Sequence, residues 1–351
     1  MIRLFTPSFA DEAGTNAQNL SVKEIVARLD PAEFHVSMFY ESAPDPRIAA
    51  RPSTRLLRWH GRGNTLLAIA SLLRQPPHIY FFPREGPLEN AFFALKKSLF
   101  RNTAVVTYIV SGGLDTAASA PAAMARNVAQ AAAVVGNCDY LSQVVAKKFD
   151  VRTATIHDGI DRRYFFPANE LVNSQPPVVL FAGSLRPYKR GTFFVRMAAS
   201  RPRAHFRIAG TGEEDSACRE FVATHGLPNV EFLGHISQTQ LGDEMRRASI
   251  LFHPSVLEGH PQVLGQAAAC GLPVLALNRY HPDFTIDGET GFLAADDAEL
   301  EQRLDQLLAD ADLRRQMSRR SVEHARKFDW DAVTALWRQT FLDVLRPGKH
   351  S

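Results

Sequence analysis

The chain has 351 residues, 45% of them hydrophobic and 22% charged, and a net charge of +3, which suits two soluble domains with ordinary cores. No run approaches the ~20 apolar residues of a membrane span, and Met1-Ile2-Arg3-Leu4-Phe5 lacks the segments of a signal peptide. Cys138, Cys218 and Cys270 are odd in number and widely spaced, which excludes a disulfide framework or zinc pattern and points to thiols in a reducing cytoplasm.

Residues 1–170 hold 19 Lys and Arg against 15 Asp and Glu, and residues 171–351 hold 21 against 22. The asymmetry is too weak for a nucleic-acid binder, but it permits a basic patch on the first half.

The first half alternates strands and helices. Ile2 to Phe5 reads as a strand, Ala17 to Leu29 as a helix and Phe34 to Tyr40 as a strand. The loop between the first two carries Gly14-Thr15-Asn16. It suits either a phosphate or substrate cradle or a plain turn with a helix cap. Asp45 to Asn64 spaces Arg47, Arg51, Arg55, Arg58 and Arg62 around Leu56, Leu57 and Trp59. Ala91 to Arg101 mixes Phe92, Phe93, Leu95, Leu99 and Phe100 with Lys96, Lys97 and Arg101. Both stretches fit either an anionic membrane surface or solvated faces over a core stripe. Further strands are expected at His78 to Phe82, Ala104 to Val110, Ala132 to Val135 and Thr153 to Ile156, with helices between them. Arg84 and Glu85 follow a strand, as ligand-facing or ordinary turn residues. A polar linker, Ala168 to Pro177, marks a domain boundary.

The second half opens on a continuous apolar strand, Val178 to Ala182, then Gly183-Ser184-Leu185-Arg186-Pro187-Tyr188-Lys189-Arg190-Gly191 and a helix to Ala199. Cations at such a helix N-terminus suit a diphosphate, or are simply surface charges. Phe206 to Ala209 ends in Gly210-Thr211-Gly212, but Asp215 breaks a dinucleotide-binding glycine pattern. Asn229 to His235, a helix from Gln238 to Arg247 and a strand from Ile250 to His253 follow. Next comes a loop bearing Glu258, a helix from Pro261 to Cys270 and a strand from Pro273 to Leu277. Strand, loop, helix, strand is the unit of a parallel α/β sheet, which binds ligands at the carboxyl ends of its strands. A carboxylate there repels phosphate but accepts hydrogen bonds from sugar hydroxyls. Helices are expected at Ala298 to Leu308, Leu313 to Lys327 and Trp330 to Leu345.

Ser255…Glu258-Gly259-x-Pro261…Gln266-Ala267…Gly271-x-Pro273-Val274 resembles the donor-site signature of glycosyltransferase family 4, retaining enzymes of the GT-B fold. Gly183 to Gly191, Asn229 to His235, Asp287 to Leu293 and His157-Asp158-Gly159-Ile160-Asp161 are similar to other segments of that family. The resemblance implies an α/β fold of two Rossmann-like domains facing an interdomain cleft. Residues 1–170 would bind acceptor, 171–328 would bind donor, and 329–351 would form a helix crossing back to the first domain. It further implies transfer of a sugar from a nucleotide-sugar donor to a hydroxyl acceptor (glycan, lipid-linked or small molecule), with no metal and no cofactor beyond the co-substrate.

By the same resemblance Lys189 and Arg186 clamp the diphosphate, beside Gly183 and Ser184. Glu258 holds the transferred sugar and Gln266, where the family has glutamate, holds the ribose through its amide. Gly210 forms a glycine turn, Gly234 and His235 meet the base, and Ser255, Gly259, His260, Pro261, Gln262 and Val263 line the donor site, with the backbone N–H groups near Gly259 to Gln262 at the phosphates. Gly14, Thr15 and Asn16 stand at the acceptor or diphosphate loop. The family's histidine after the strand Ala104 to Val110 has no counterpart here. The expected location is cytoplasmic, with peripheral contact at the inner membrane face through the basic first domain. The alternatives are a catalytically silent nucleotide-sugar binder and a GT-B sugar epimerase.

Overall fold

The computed structural model describes residues 1–12, 17–61, 64–110, 122–168 and 175–346. The chain forms two units, Met1–Gly159 with Trp330–Ser351, and Ile160–Asp329.

The first unit runs β1 (Ile2–Phe9), α1 (Ala17–Arg28), β2 (Phe34–Tyr40), α2 (Pro46–Ala49), β3 (Thr54–Arg58), α3 (Thr65–Arg74), β4 (Ile79–Phe81) and α4 (Pro87–Leu95). It continues with β5 (Ala104–Ile109), α5 (Ala122–Ala129), β6 (Ala133–Gly136), α6 (Asp139–Phe149) and β7 (Ala154–Thr155). The seven strands are parallel in the order β3-β2-β1-β4-β5-β6-β7. The central strands read as continuous apolar runs because helices cover both faces of such a sheet. β1 extends past the expected end at Phe5, and its pairing with β2 shifts register between Phe5 and Phe9. Pro7 lies in that shift, since a proline has no N–H for the ladder.

The arginine-rich segment resolves into α2 and the edge strand β3. Arg47 pairs with Glu24 at 2.6 Å and Asp45 at 2.8 Å. Arg51 is buried and donates to the carbonyls of Leu29 (2.8 Å) and Phe34 (3.1 Å). These two cations tie α1, α2 and β2 together.

The second unit runs β8 (Val178–Ala182), α7 (Gly191–Ala199), β9 (His205–Ala209), α8 (Asp215–Thr224), β10 (Val230–Gly234), α9 (Gln238–Arg247) and β11 (Ile250–His253). Then come α10 (Gln262–Ala269), β12 (Val274–Leu277), β13 (Gly291–Ala294), α11 (Asp297–Ala309) and α12 (Ala311–Ala325). Its six strands are also parallel, ordered β10-β9-β8-β11-β12-β13. The chain winds outward from β8 to β10, then returns to start again at β11 beside β8. That reversal opens a crevice between the carboxyl ends of β8 and β11, where doubly wound sheets bind ligands.

The last helix, α13 (Trp330–Asp343), belongs to the first unit. Trp330, Val333, Trp337 and Phe341 are buried in one core with Leu4, Val22, Phe34 and Phe81. The units divide at Gly159, earlier than the position 170 expected from the linker's composition. The reason is packing: the Ile160 N–H donates to the Phe328 carbonyl at 2.7 Å, and Ile160 and Phe165 are buried in the second unit. Gly159 is required sterically, because a Cβ there would sit 2.2 Å from the Trp330 ring. Asp158 is more than a turn residue. Its buried carboxylate accepts from Ser21 Oγ (2.5 Å), Tyr108 Oη (2.8 Å) and Asn137 Nδ2 (3.0 Å).

Candidate active site

Three glycines shape the ends of β8, β9 and β10. The Gly183 N–H donates to the Ala209 carbonyl (2.9 Å) and the Gly210 N–H to the Gly234 carbonyl (2.8 Å). A Cβ on Gly210 would lie 1.9 Å from the Gly183 oxygen, so the two loops touch backbone to backbone. After Gly183 the chain forms a short 3-10 turn, Pro187–Lys189. Arg190 takes a left-handed backbone (φ 60°) and starts α7. Its guanidinium is engaged by Asp297, at 2.7 and 2.6 Å. Glu214 accepts from the Gly191 N–H (2.7 Å) and the Thr192 hydroxyl (2.9 Å), satisfying orphan donors at that helix start.

This leaves Lys189 to face the loop after β11. Ser255 is buried, its hydroxyl 3.3 Å from the Tyr188 carbonyl, and the Val256 N–H donates to the same carbonyl at 2.9 Å. The two loops are thus stitched together where the crevice opens. Across this seam, Glu258 Oε1 accepts from Lys189 Nζ at 2.7 Å and from His253 Nε2 at 3.1 Å. His253 closes β11 and is 1% exposed.

The electrostatics follow from burial. Burial pushes His253 below the ordinary imidazole range, Glu258 pulls the other way, and Lys189 adds to the lowering. The imidazole is therefore neutral at pH 7, with its proton on Nε2 pointing at the carboxylate. Burial alone would push the Glu258 carboxyl up, but the hydrogen bonds of His253 and Lys189, the Lys189 charge and, once acid protonates the imidazole, the His253 charge outweigh it and hold the carboxyl at about 2. The site carries a fixed anion beside a fixed cation.

This arrangement sets the pH dependence of stability. A Glu258 that titrates near 2 when folded and near its ordinary 4.5 when unfolded stabilises the fold fully above that ordinary value and loses the contribution as pH falls toward 2. The lowered His253 acts with the same sign, its contribution lost as pH falls below the ordinary imidazole range. Denaturant unfolding followed against pH is expected to show the second unit of Glu258→Gln losing less stability between pH 4.5 and 2 than the parent.

The other expected residues divide by position. Gln262 and Gln266 stand four apart on α10 and so share one face. Gln262 opens the helix, and its Nε2 is buried with no hydrogen-bond partner among the described residues. Pro261 precedes the first turn, and Val263 packs partly into the core. His260 is buried with its ring 4.1 Å from that of Phe284, so packing claims the imidazole. Ser184, Arg186 and His235 are exposed at the strand ends. Arg186 immediately precedes the turn that carries Lys189. Gly259 follows Glu258 in the same loop. Gly14, Thr15 and Asn16 lie outside the described residues. Arg84 is engaged within the first unit, donating to Gln18 at 2.7 Å and Asn19 at 2.7 Å. Tyr108, the polar group nearest the missing histidine's place, is held by Asp158.

Two residues of the site were not found from sequence. His253 hid at the end of an apolar run, where its one signal was a polar residue closing a buried strand just before Pro254-Ser255. Tyr280 is buried with its hydroxyl unpartnered among the described residues, its ring 6.3 Å from that of His253. Nothing in its surroundings in the sequence marks it.

Residues 163–324 match the family described as glycosyl transferases group 1. Over 218 residues the chain is 28% identical to a D-inositol 3-phosphate glycosyltransferase of Streptomyces bingchenggensis, covering 55% of this chain and 48% of that protein. The chain spans about half the length of the curated relatives it matches. Among solved structures, a sucrose-phosphate synthase from Thermosynechococcus elongatus aligns with a TM-score of 0.76 at 20% identity, covering 98% of this chain and all of that one. Anabaena HepE, solved with UDP and glucose, aligns with a TM-score of 0.72 at 17% identity and covers the same 98% of this chain and 100% of its own. At these identities the likeness shows the fold, which is GT-B. The match to the glycosyl transferases group 1 family thus falls on the domain built on β8 to β13.

Proposed function

We propose that this protein is a retaining glycosyltransferase that moves a sugar from a nucleotide-sugar donor to a hydroxyl acceptor. The observation that carries the reading is the Lys189–Glu258–His253 cluster at the β8/β11 reversal, beside the N-terminus of α10. As the bond between the anomeric carbon and the diphosphate breaks, the electron pair leaves with the diphosphate. The acceptor oxygen bonds to the same face of that carbon, and its proton passes to the departing phosphate oxygen. Lys189 and the exposed Arg186 stabilise the growing phosphate charge. The free N–H groups of the first turn of α10 add to this. Glu258 accepts from the sugar hydroxyls, and Gln266 reaches the ribose. Cationic side chains fill the role a divalent ion plays elsewhere, so the reaction is proposed to need no metal. HepE, whose structures hold UDP, glucose and UDP-glucose, supports a uridine donor as the first to try.

The reading is tested with a panel of uridine, guanosine and adenosine diphosphate sugars, scored for thermal shift and for nucleoside diphosphate release, with and without EDTA. A shift with EDTA-insensitive release is the expected result. A shift without release under every acceptor extract would make the protein a silent binder, which Gln266 in place of glutamate and the absent histidine favour. Release of free or isomerised sugar without acceptor would make it an epimerase, and no shift at all would remove the donor site.

A further inference from the structure

Helix α3 is apolar on both sides. Ala68, Ile69 and Leu72 face the first unit's core with Phe92 and Phe100. The opposite side exposes Leu66 (80%), Leu67 (69%) and Leu73 (41%), with Ala70 exposed between them. Positions 66, 70 and 73 form one stripe at helical spacing, and Leu67 widens it. A contiguous stripe of leucines on a ten-residue surface helix is unusual for a soluble face, and packing within the first unit leaves it uncovered among the described residues.

The surroundings are cationic. From Pro46 to Arg84 the sequence has seven arginines and no acidic residue. Arg58 precedes α3, its carbonyl bonded to Asn64 at 3.0 Å, and Arg74 ends it. Arg3 and Arg55 border its last turn at Ser71 and Leu72, and Arg3 also shares a surface depression with Leu99 and Arg101. None of Arg3, Arg55, Arg58, Arg74 and Arg101 forms a salt bridge among the described residues. The field they create is felt nearby: burial lowers His35, and Arg55, Arg51 and Arg3 push it the same way.

We propose that the exposed face of α3 docks on an anionic lipid surface, with Leu66, Leu67 and Leu73 entering the acyl boundary and the flanking arginines meeting the headgroups. Leucines beside unpaired cations match both layers of such a surface. A second copy of the chain is disfavoured, because the same arginines would oppose one another. The contact is peripheral, since no described helix is long and apolar enough to cross a membrane. It stands apart from the donor chemistry, and its failure would leave that reading untouched.

The test is flotation of the full chain with phosphatidylcholine vesicles, with and without phosphatidylglycerol. Binding only to the anionic vesicles, weakened by salt, is expected. The combined change Leu66→Ser, Leu67→Ser and Leu73→Ser should weaken it at least about ten-fold with an unchanged melting curve, as should Arg58→Glu with Arg74→Glu. Failure of the parent to float, or undiminished flotation of the leucine variant, overturns the proposal. So does a leucine-dependent dimer in light scattering that ignores vesicles.

Discussion

Glu258→Gln is expected to slow turnover of the nucleotide sugar by about 10²- to 10³-fold, the usual cost of removing one fixed electrostatic group from a reacting site. The amide keeps the shape of the carboxylate and can still accept from His253 and Lys189. What it loses is the charge that fixes Lys189 at 2.7 Å and the acceptor strength offered to sugar hydroxyls. The same change removes an anion from beside the diphosphate site and frees Lys189 from its ion pair. Nucleoside diphosphate affinity should therefore hold or rise while kcat falls. Single-turnover rates and product-binding calorimetry on one preparation would check both. Parallel losses of affinity and rate would mean that Glu258 merely supports the loop.

Trp337→Ala is expected to cost the first unit about 3–5 kcal/mol. Trp337 is fully buried, with ring centroids 4.9 Å from Phe81, 4.8 Å from Tyr108 and 5.7 Å from Phe341. It thereby joins α13 to β4 and β5, and truncating it would leave a cavity in that buried aromatic cluster. Calorimetry should show the transition of the first unit falling by roughly 10 °C or more while that of the second stays in place. A uniform shift of both would show that the units unfold as one.

The second unit was legible in the sequence because its first four strands, β8 to β11, are short runs each closed by glycine or proline and followed by a helical pattern. The family resemblance assigned Lys189 and Glu258 to one site, and the structure brings their side chains to 2.7 Å. His253 escaped because a buried histidine closing a strand differs from an ordinary core residue only in what it touches. The first unit was harder to read. Arg55 and Arg58 masked the edge strand β3, whose Leu56 and Leu57 point to opposite faces of the sheet and pack against two different cores. Pro7 ended β1 too early, since a strand that survives a proline does so through tertiary pairing alone. The unit boundary was misplaced because composition marks where a linker looks polar, whereas the hydrogen bond from Ile160 to Phe328 marks where the packing changes hands.

The division at Gly159 and Trp330 makes the first unit discontinuous, with the whole second unit inserted between its halves. During synthesis the chain emerges from its N-terminus. The seven-stranded sheet must then wait, its face for α13 uncovered, while some 170 further residues are made. The second unit is complete in the nascent chain before the first can close. Translation order thus makes the second unit the first to mature, and leaves the exposed apolar face of the earlier half as the place where a stalled chain would aggregate or recruit a chaperone.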